Sequence, residues 1–278
     1  MPIDGVRPLM LHRKMNGAGP DAAEWGMCVV ALAWNAHPRW RLLLAGNRDE
    51  FHARPTAPLA RWPGAGPLAG RDLQSGGTWV GLDRRGRVAV VTNVRDGLAA
   101  EHAGPSRGAL PVAFLEGTAD AATTTAKLHS NAKAYAPFNL VLADAEACWH
   151  LGNHPLQREA LATGVHGISN GRLDAPWPKT RHLIAALRTW IDAGDDDPRS
   201  LWDAVADERI AADTDLPDTG VGIELERRLS PAFIRGETYG TRASTIIMVD
   251  HESRGFIHER RFGPDGVFAG ETQLRNND

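Results

Sequence analysis

The order of elements in this sequence predicts an α+β protein in which antiparallel sheets carry helices on their outside. Apolar, β-branched stretches come in adjacent pairs joined by short polar turns, the connection that antiparallel neighbours use. Helical patterns fall between groups of strands and do not alternate with them one by one, which argues against a doubly wound parallel sheet. No Ser/Gly linker, charge block or low-complexity run divides the 278 residues, so residues 27–278 are expected to form a single domain.

The first pair of strands organises the rest. Met27 to Ala33 is apolar and carries a cysteine at its start, and Leu42 to Phe51 is apolar until four polar residues, Asn47 to Glu50. The loop between them, Asn35 to Trp40, holds His37-Pro38-Arg39, so the two strands can pair and bring a thiol beside an Arg-Asp dipeptide. Phe51 to Gly70 contains four prolines and is expected to be a long surface loop. Residues 76–82 and 87–93 predict a hairpin turning at Gly86. The Gly76-Gly77 pair lacks the Lys-Ser/Thr of a phosphate loop and fits a tight turn or a close backbone approach. Helices are expected over 108–117 and 119–131, a second hairpin over 138–144 and 147–151, and a strand over 164–169. Leu183, Ile184, Leu187, Trp190 and Ile191 recur at helical spacing within 180–193. A shorter helix is expected from a Ser200 cap, and a last hairpin over 243–249 and 255–262.

Residues 1–26 show neither strand alternation nor a helical stripe, and no apolar core of a signal peptide. They are expected to be a disordered extension, with translation starting at Met27 as the alternative to Met1. A net charge of −3 gives no electrostatic reason for a nucleic-acid partner. No apolar run reaches the roughly 18 residues of a membrane span, and two cysteines, Cys28 and Cys148, fit a reducing, cytoplasmic setting. The histidines show no metal-ligand spacing, and Asp192 to Pro198 lacks the alternating ligands of a calcium loop. No metal and no cofactor are therefore expected.

Several separated blocks together resemble one family. They are Met27-Cys28, Ala45-Gly46-Asn47-Arg48-Asp49-Glu50-Phe51, Arg54-Pro55, Gly76 to Gly81, Thr92-Asn93, Phe138-Asn139-Leu140, Gly167 to Asn170, Pro176-Trp177-Pro178-Lys179 and Tyr239 to Thr245. In this order they resemble the NRDE family, also called transport and Golgi organisation protein 2-like. That family is distantly similar to N-terminal-nucleophile hydrolases with cysteine, of the penicillin V acylase and bile salt hydrolase type. The resemblance implies a four-layer αββα sandwich of two antiparallel sheets. It also implies that Cys28 is the nucleophile, with Arg48, Asp49, Asn93, Asn170 and Arg242 as catalytic residues, Asp49 tuning the nucleophile's amine and Asn170 serving an oxyanion hole. Asn47, Trp79 and Trp177 are expected at the substrate. In the hydrolases an arginine stands one residue before the Asn-x-Asp. Here that position is Gly46, and Arg48 lies two residues on, on the same face of a strand.

Each residue also has a structural reading. Cys28 can be a small buried hydrophobe, Arg48 and Asp49 an ion pair, Asn93 and Asn170 turn residues, and Arg242 the partner of a surface acid. The chemistry favours more: a thiolate is nucleophilic, and a free α-amino group with a pKa of roughly 7.7–8.0 can act as its base without a histidine. Trp79, Trp149 and Trp177 are candidates for the apolar wall of an amide site. Two functions follow. One is a cysteine amidohydrolase acting on a small linear amide; the other is a non-catalytic carrier of haem or lipid using the same cavity. Either takes a small molecule, and the oligomeric state is not legible.

Overall fold

The computed structural model describes residues 27–64, 66–97 and 104–278; the extension expected over 1–26 lies outside them. The strands are β1 (Met27–Trp34), β2 (Trp40–Phe51), β3 (Thr56–Arg61), β4 (Leu68–Asp72), β5 (Val80–Leu82), β6 (Val88–Asn93), β7 (Phe138–Ala143), β8 (Cys148–Asn153), β9 (Leu156–Ala160), β10 (Gly164–Ile168), β11 (Tyr239–Asp250), β12 (Gly255–Phe262) and β13 (Phe268–Arg275). The helices are α1 (Ala109–Glu116), α2 (Ala121–Asn131), α3 (Pro178–Asp192), α4 (Arg199–Val205) and α5 (Ile223–Arg228). Among the described residues the strands form two antiparallel sheets, in the orders β10-β1-β2-β11-β12-β13 and β3-β4-β5-β6-β7-β8-β9.

Alternation along the strands builds four layers. Even residues of β1 and β2, among them Val30, Leu32, Leu42 and Leu44, meet Leu68, Leu82, Val88 and Val90 of the other sheet in a shared core. Odd residues, Val29, Ala31, Leu43 and Ala45, pack instead against Leu183, Leu187 and Trp190 of α3 and Leu201 of α4. On the far side of the second sheet Val91, Leu140 and Leu142 meet Leu110 and Phe114 of α1. Helix, sheet, sheet and helix are thus stacked by period-2 strands that are apolar on both faces, and this is the αββα sandwich implied by the resemblance.

Two expectations need correction, and three elements were not anticipated. The loop expected over 51–70 contains β3 and β4. Pro58 fits there because β3 is an edge strand and its register shifts between Ala57 and Ala60, so its missing N–H breaks no ladder. The edge strands β9 and β13 are mostly exposed or half-buried, and without a buried face they carry no strong alternation. Ser200 lies inside α4, which begins after Pro198 with no side-chain cap. The six-residue α5 was not anticipated; it is too short for a periodic signal.

Glycine settles one local question. A Cβ at Gly46 would lie 2.5 Å from the Val29 carbonyl oxygen and 2.9 Å from Val30 Cγ2, so no side chain fits at the position of the hydrolase arginine. Replacing Gly46→Ala is expected to cost about 1–3 kcal/mol as an overpacked core site, read as a lowered thermal midpoint.

Candidate active site

The start of β1 and the end of β2 in the first sheet meet the ends of β4 and β6 in the second, and a cleft of about 620 Å³ opens between them. Its lining includes Cys28, Arg48, Asp49, Glu50, Trp79 and Asn93, with Ser106 and Arg107 from the segment leading into α1. The register pairs Cys28 with Arg48 directly across β1 and β2, on the face that further along holds the core between the sheets. The loop from the second sheet reaches the site through its glycines. Gly76 takes φ +78°, and a Cβ on Gly77 would lie 2.4 Å from Gly108, so the pair serves both a turn and a close approach.

Arg48 is 6% exposed. Its guanidinium lies over the Trp79 ring at 4.6 Å and faces Glu50 at 3.4 Å and Asp72 at 3.5 Å. Arg54 joins the same carboxylates, with its Nε 2.7 Å from Asp72. Arg48 Nη1 is buried and has no hydrogen-bond partner among the described residues, so one strong donor is left over in the cleft wall. The Cys28 thiol is half-buried beside it. Burial first, and then the Asp49 charge, push its pKa up to about 12 against the pull of Arg48 and Lys179. At neutral pH it is a thiol, and it needs a base before it can react.

Asp49 falls on the alternate face, toward the helices, at a strand end that still reaches the cleft. It is 0% exposed and accepts a 2.6 Å hydrogen bond from Thr241 Oγ1. Burial raises its pKa to about 6, while Lys179 and Thr241 hold it down. Lys179, 4% exposed in the first turn of α3, is lowered by burial to about 8 although Asp49 favours its charge. Lys179 stands in the Pro176-Trp177-Pro178-Lys179 block, and the resemblance implies no role for it. The available signal was a cation in a first helical turn, the end where the macrodipole disfavours it. Glu50, Arg54 and Asp72 were missed as a network because their partners come from different strands.

The other expected residues divide. Asn93 lines the cleft. Asn170 is 0% exposed and sits behind it: Nδ2 donates to the Asn93 carbonyl at 3.1 Å, and the neighbouring Ser169 Oγ donates to the Cys28 carbonyl at 3.0 Å. Asn170 therefore supports the backbone around the site. Asn47 turns toward the helices, where Nδ2 donates to the Val205 and Ala232 carbonyls at 2.7 Å each, a structural tie in place of the expected substrate contact. Arg242 Nη1 donates to the Phe51 and Arg54 carbonyls and so pins the turn after β2. Trp79 lines the cleft. Trp177 packs against Gly171 and beneath Arg95, outside the cleft lining, and Trp149 packs in the core on the far side of the second sheet.

This is a four-layer α+β protein with a thiol and an arginine paired across two strands in the wall of a polar cleft. A model of the family Transport and Golgi organisation 2 matches residues 27–264, and the chain belongs to that family. It is 29% identical over 259 residues to the Transport and Golgi organization protein 2 homolog of Bos taurus. To the Homo sapiens homolog it is 30% identical over 261 residues. Each comparison covers 84% of this chain and 92% of the relative. Among solved structures it is similar to penicillin V acylase from Agrobacterium tumefaciens, with a TM-score of 0.41 and 13% identity over 84% of this chain and 82% of that one.

The buried Asp49 and Lys179 make stability depend on pH in a defined direction. Asp49 titrates near 6 in the fold against 3.8 for the free group, so the native state keeps a proton the unfolded chain releases, and stability falls as pH rises from 4 to 6. Lys179 titrates near 8 against 10.5, so the unfolded chain keeps a proton the native state gives up, and stability recovers between 8 and 10.5. The pair is costliest between them. Lys179→Met alone is expected to lower stability more at pH 7, where both groups are charged, than at pH 5, where Asp49 takes up a proton. The double variant Asp49→Asn, Lys179→Met should be near wild type, as read from urea melts at both pH values.

Proposed function

We propose that this protein is a cysteine amidohydrolase of the N-terminal-nucleophile type, cleaving a C–N bond in a small linear amide. The observation that carries the reading is the cross-strand pair of Cys28 and Arg48 in the cleft wall, with Arg48 Nη1 lacking a partner among the described residues. A buried guanidinium donor left unsatisfied is costly. Beside a nucleophile, it is a donor available to the negative charge that develops on a substrate carbonyl.

The chemistry needs the Met27–Cys28 bond to be absent in the working chain, by removal of an initiator Met27 or by cleavage. The new α-amino group then takes the thiol proton, Cys28 Sγ attacks the amide carbon, and the oxygen carries the charge toward Arg48. The leaving amine departs with the proton returned from the ammonium, leaving a thioester. Water, deprotonated by the same amine, hydrolyses that thioester and restores the thiol. Asn93 borders the cleft, and Trp79 supplies an apolar surface beside the polar groups.

Hydrolysis of a panel of small linear amides tests this directly. Cys28→Ala is expected to abolish turnover, and Arg48→Met to lower kcat by about 10²–10³-fold, the usual effect of losing one oxyanion donor. N-terminal sequencing of active protein should begin at Cys28; full activity with Met27 still attached would overturn the mechanism. Saturable haem binding with no amide turnover, unchanged in Cys28→Ala, would favour the carrier function instead.

A further inference from the structure

Lys179 has no task in this mechanism, yet its position is expensive. Its ammonium is buried at the start of α3, and Nζ has no hydrogen-bond partner among the described residues. Asp49 is fully buried, and its Oδ2 also lacks one, while Thr241 is spent on Oδ1. Two buried, oppositely charged groups with unsatisfied atoms are weak as a stability device, since a well-packed apolar pair would serve as well or better. Asp49 lies near the end of the strand paired with β1 beside Cys28, and the helix that carries Lys179 packs on β1 and β10. The groups that act on Lys179 are Asp49 from β2, Cys28 from β1, Arg95 from the segment after β6 and Glu226 from α5. Arg95 and Glu226 are themselves a buried ion pair, so their charges largely offset, and Asp49 and Cys28 remain as the groups whose charge Lys179 can decide.

We propose that Lys179 is a positioning residue of the Cys28 site: from the helix-facing side of the sheet its ammonium offsets the Asp49 carboxylate and thereby lets the Cys28 thiol give up its proton. Asp49 alone opposes thiolate formation, because an anion beside the thiol favours the neutral form. A cation on the other side of Asp49 cancels that opposition without entering the cleft, where it would compete with substrate. The same charge acts on the α-amino group of a chain beginning at Cys28. A second cation beside the shared Asp49 disfavours protonation of that amine and keeps it available as a base. The proposal rests on Cys28 being the reactive thiol, and the test separates the two ideas.

Alkylation by iodoacetamide of the chain beginning at Cys28, the form whose α-amino group is free, is followed as a function of pH, with peptide mass spectrometry separating Cys28 from Cys148. In the wild type Cys28 is expected to react. In Lys179→Met its rate should be about tenfold lower at pH 7, one pKa unit of thiol ionisation. The gap should close as pH rises through 8 to 10, where Lys179 itself loses its charge. Lys179→Arg, which keeps a charge at every pH, should match wild type at pH 7 and react faster above pH 9. A purely structural lysine would change stability without this pH signature. Superimposable profiles for wild type and folded Lys179→Met overturn the proposal and leave the hydrolase reading standing. If Lys179→Met does not fold, Lys179→Arg alone decides, and a profile identical to wild type above pH 9 overturns it. A native Cys28 that does not react, when the urea-unfolded chain does, removes the hydrolase reading together with the proposal.

Discussion

Because side chains alternate along a strand, pairing Cys28 with Arg48 fixes the chemistry of both faces of the sheet at once. In this register the thiol and the guanidinium share the cleft side, and Asn47 and Asp49 turn toward the helices. A slip of one residue would bury Arg48 among the apolar residues of α3 and α4 and put Asp49 beside the substrate. The register is held by long apolar runs on both sides, Val30, Leu32 and Leu44 inward and Val29, Ala31 and Leu43 outward. It is also held by Gly46, whose Cβ would collide with the Val29 carbonyl. The site therefore inherits its geometry from the core.

Two electrostatic layers follow from that alternation. On the cleft side Arg48 and Arg54 face Glu50 and Asp72, a network that holds the arginine against Trp79 and leaves one donor unspent. On the helix side Asp49 and Lys179 are both buried and act on each other through their charges, and both titrate closer to neutrality than free groups do. The thiol lies near both layers, which is why its ionisation answers to charges that never touch the substrate. Asn170, Ser169 and Arg242 do quieter work: each is spent on a backbone carbonyl that shapes the cleft. Asn47 instead anchors the helix layer to the sheet.

The fold was largely legible because its strands and longer helices have buried faces, and burial writes periodicity into the residues. β3, β9 and β13 escaped notice for the complementary reason: they are edge strands, and one of them holds a proline. The site was legible only in its most local part. Cys28, Arg48 and Asp49 lie on strands that are consecutive in sequence, so their proximity can be read from a hairpin. Trp149 and Trp177 could not be sorted from Trp79, because which face of which sheet a tryptophan occupies depends on packing partners distant in the chain. The direction of Asn47 follows from strand parity, once the odd residues of β2 are known to face helices. That knowledge comes from α3 and α4, more than 120 residues away.

Covalent capture on Cys28 is the consequence of this arrangement that no carrier function shares. Protein mixed with small linear amides and quenched in acid within the first turnover should carry the acyl group of the substrate as a thioester on the peptide containing Cys28, with Cys148 unmodified. Amide turnover with the adduct on another residue, or turnover with Cys28 free at every quench time under conditions where thioester hydrolysis is slow, would contradict the account.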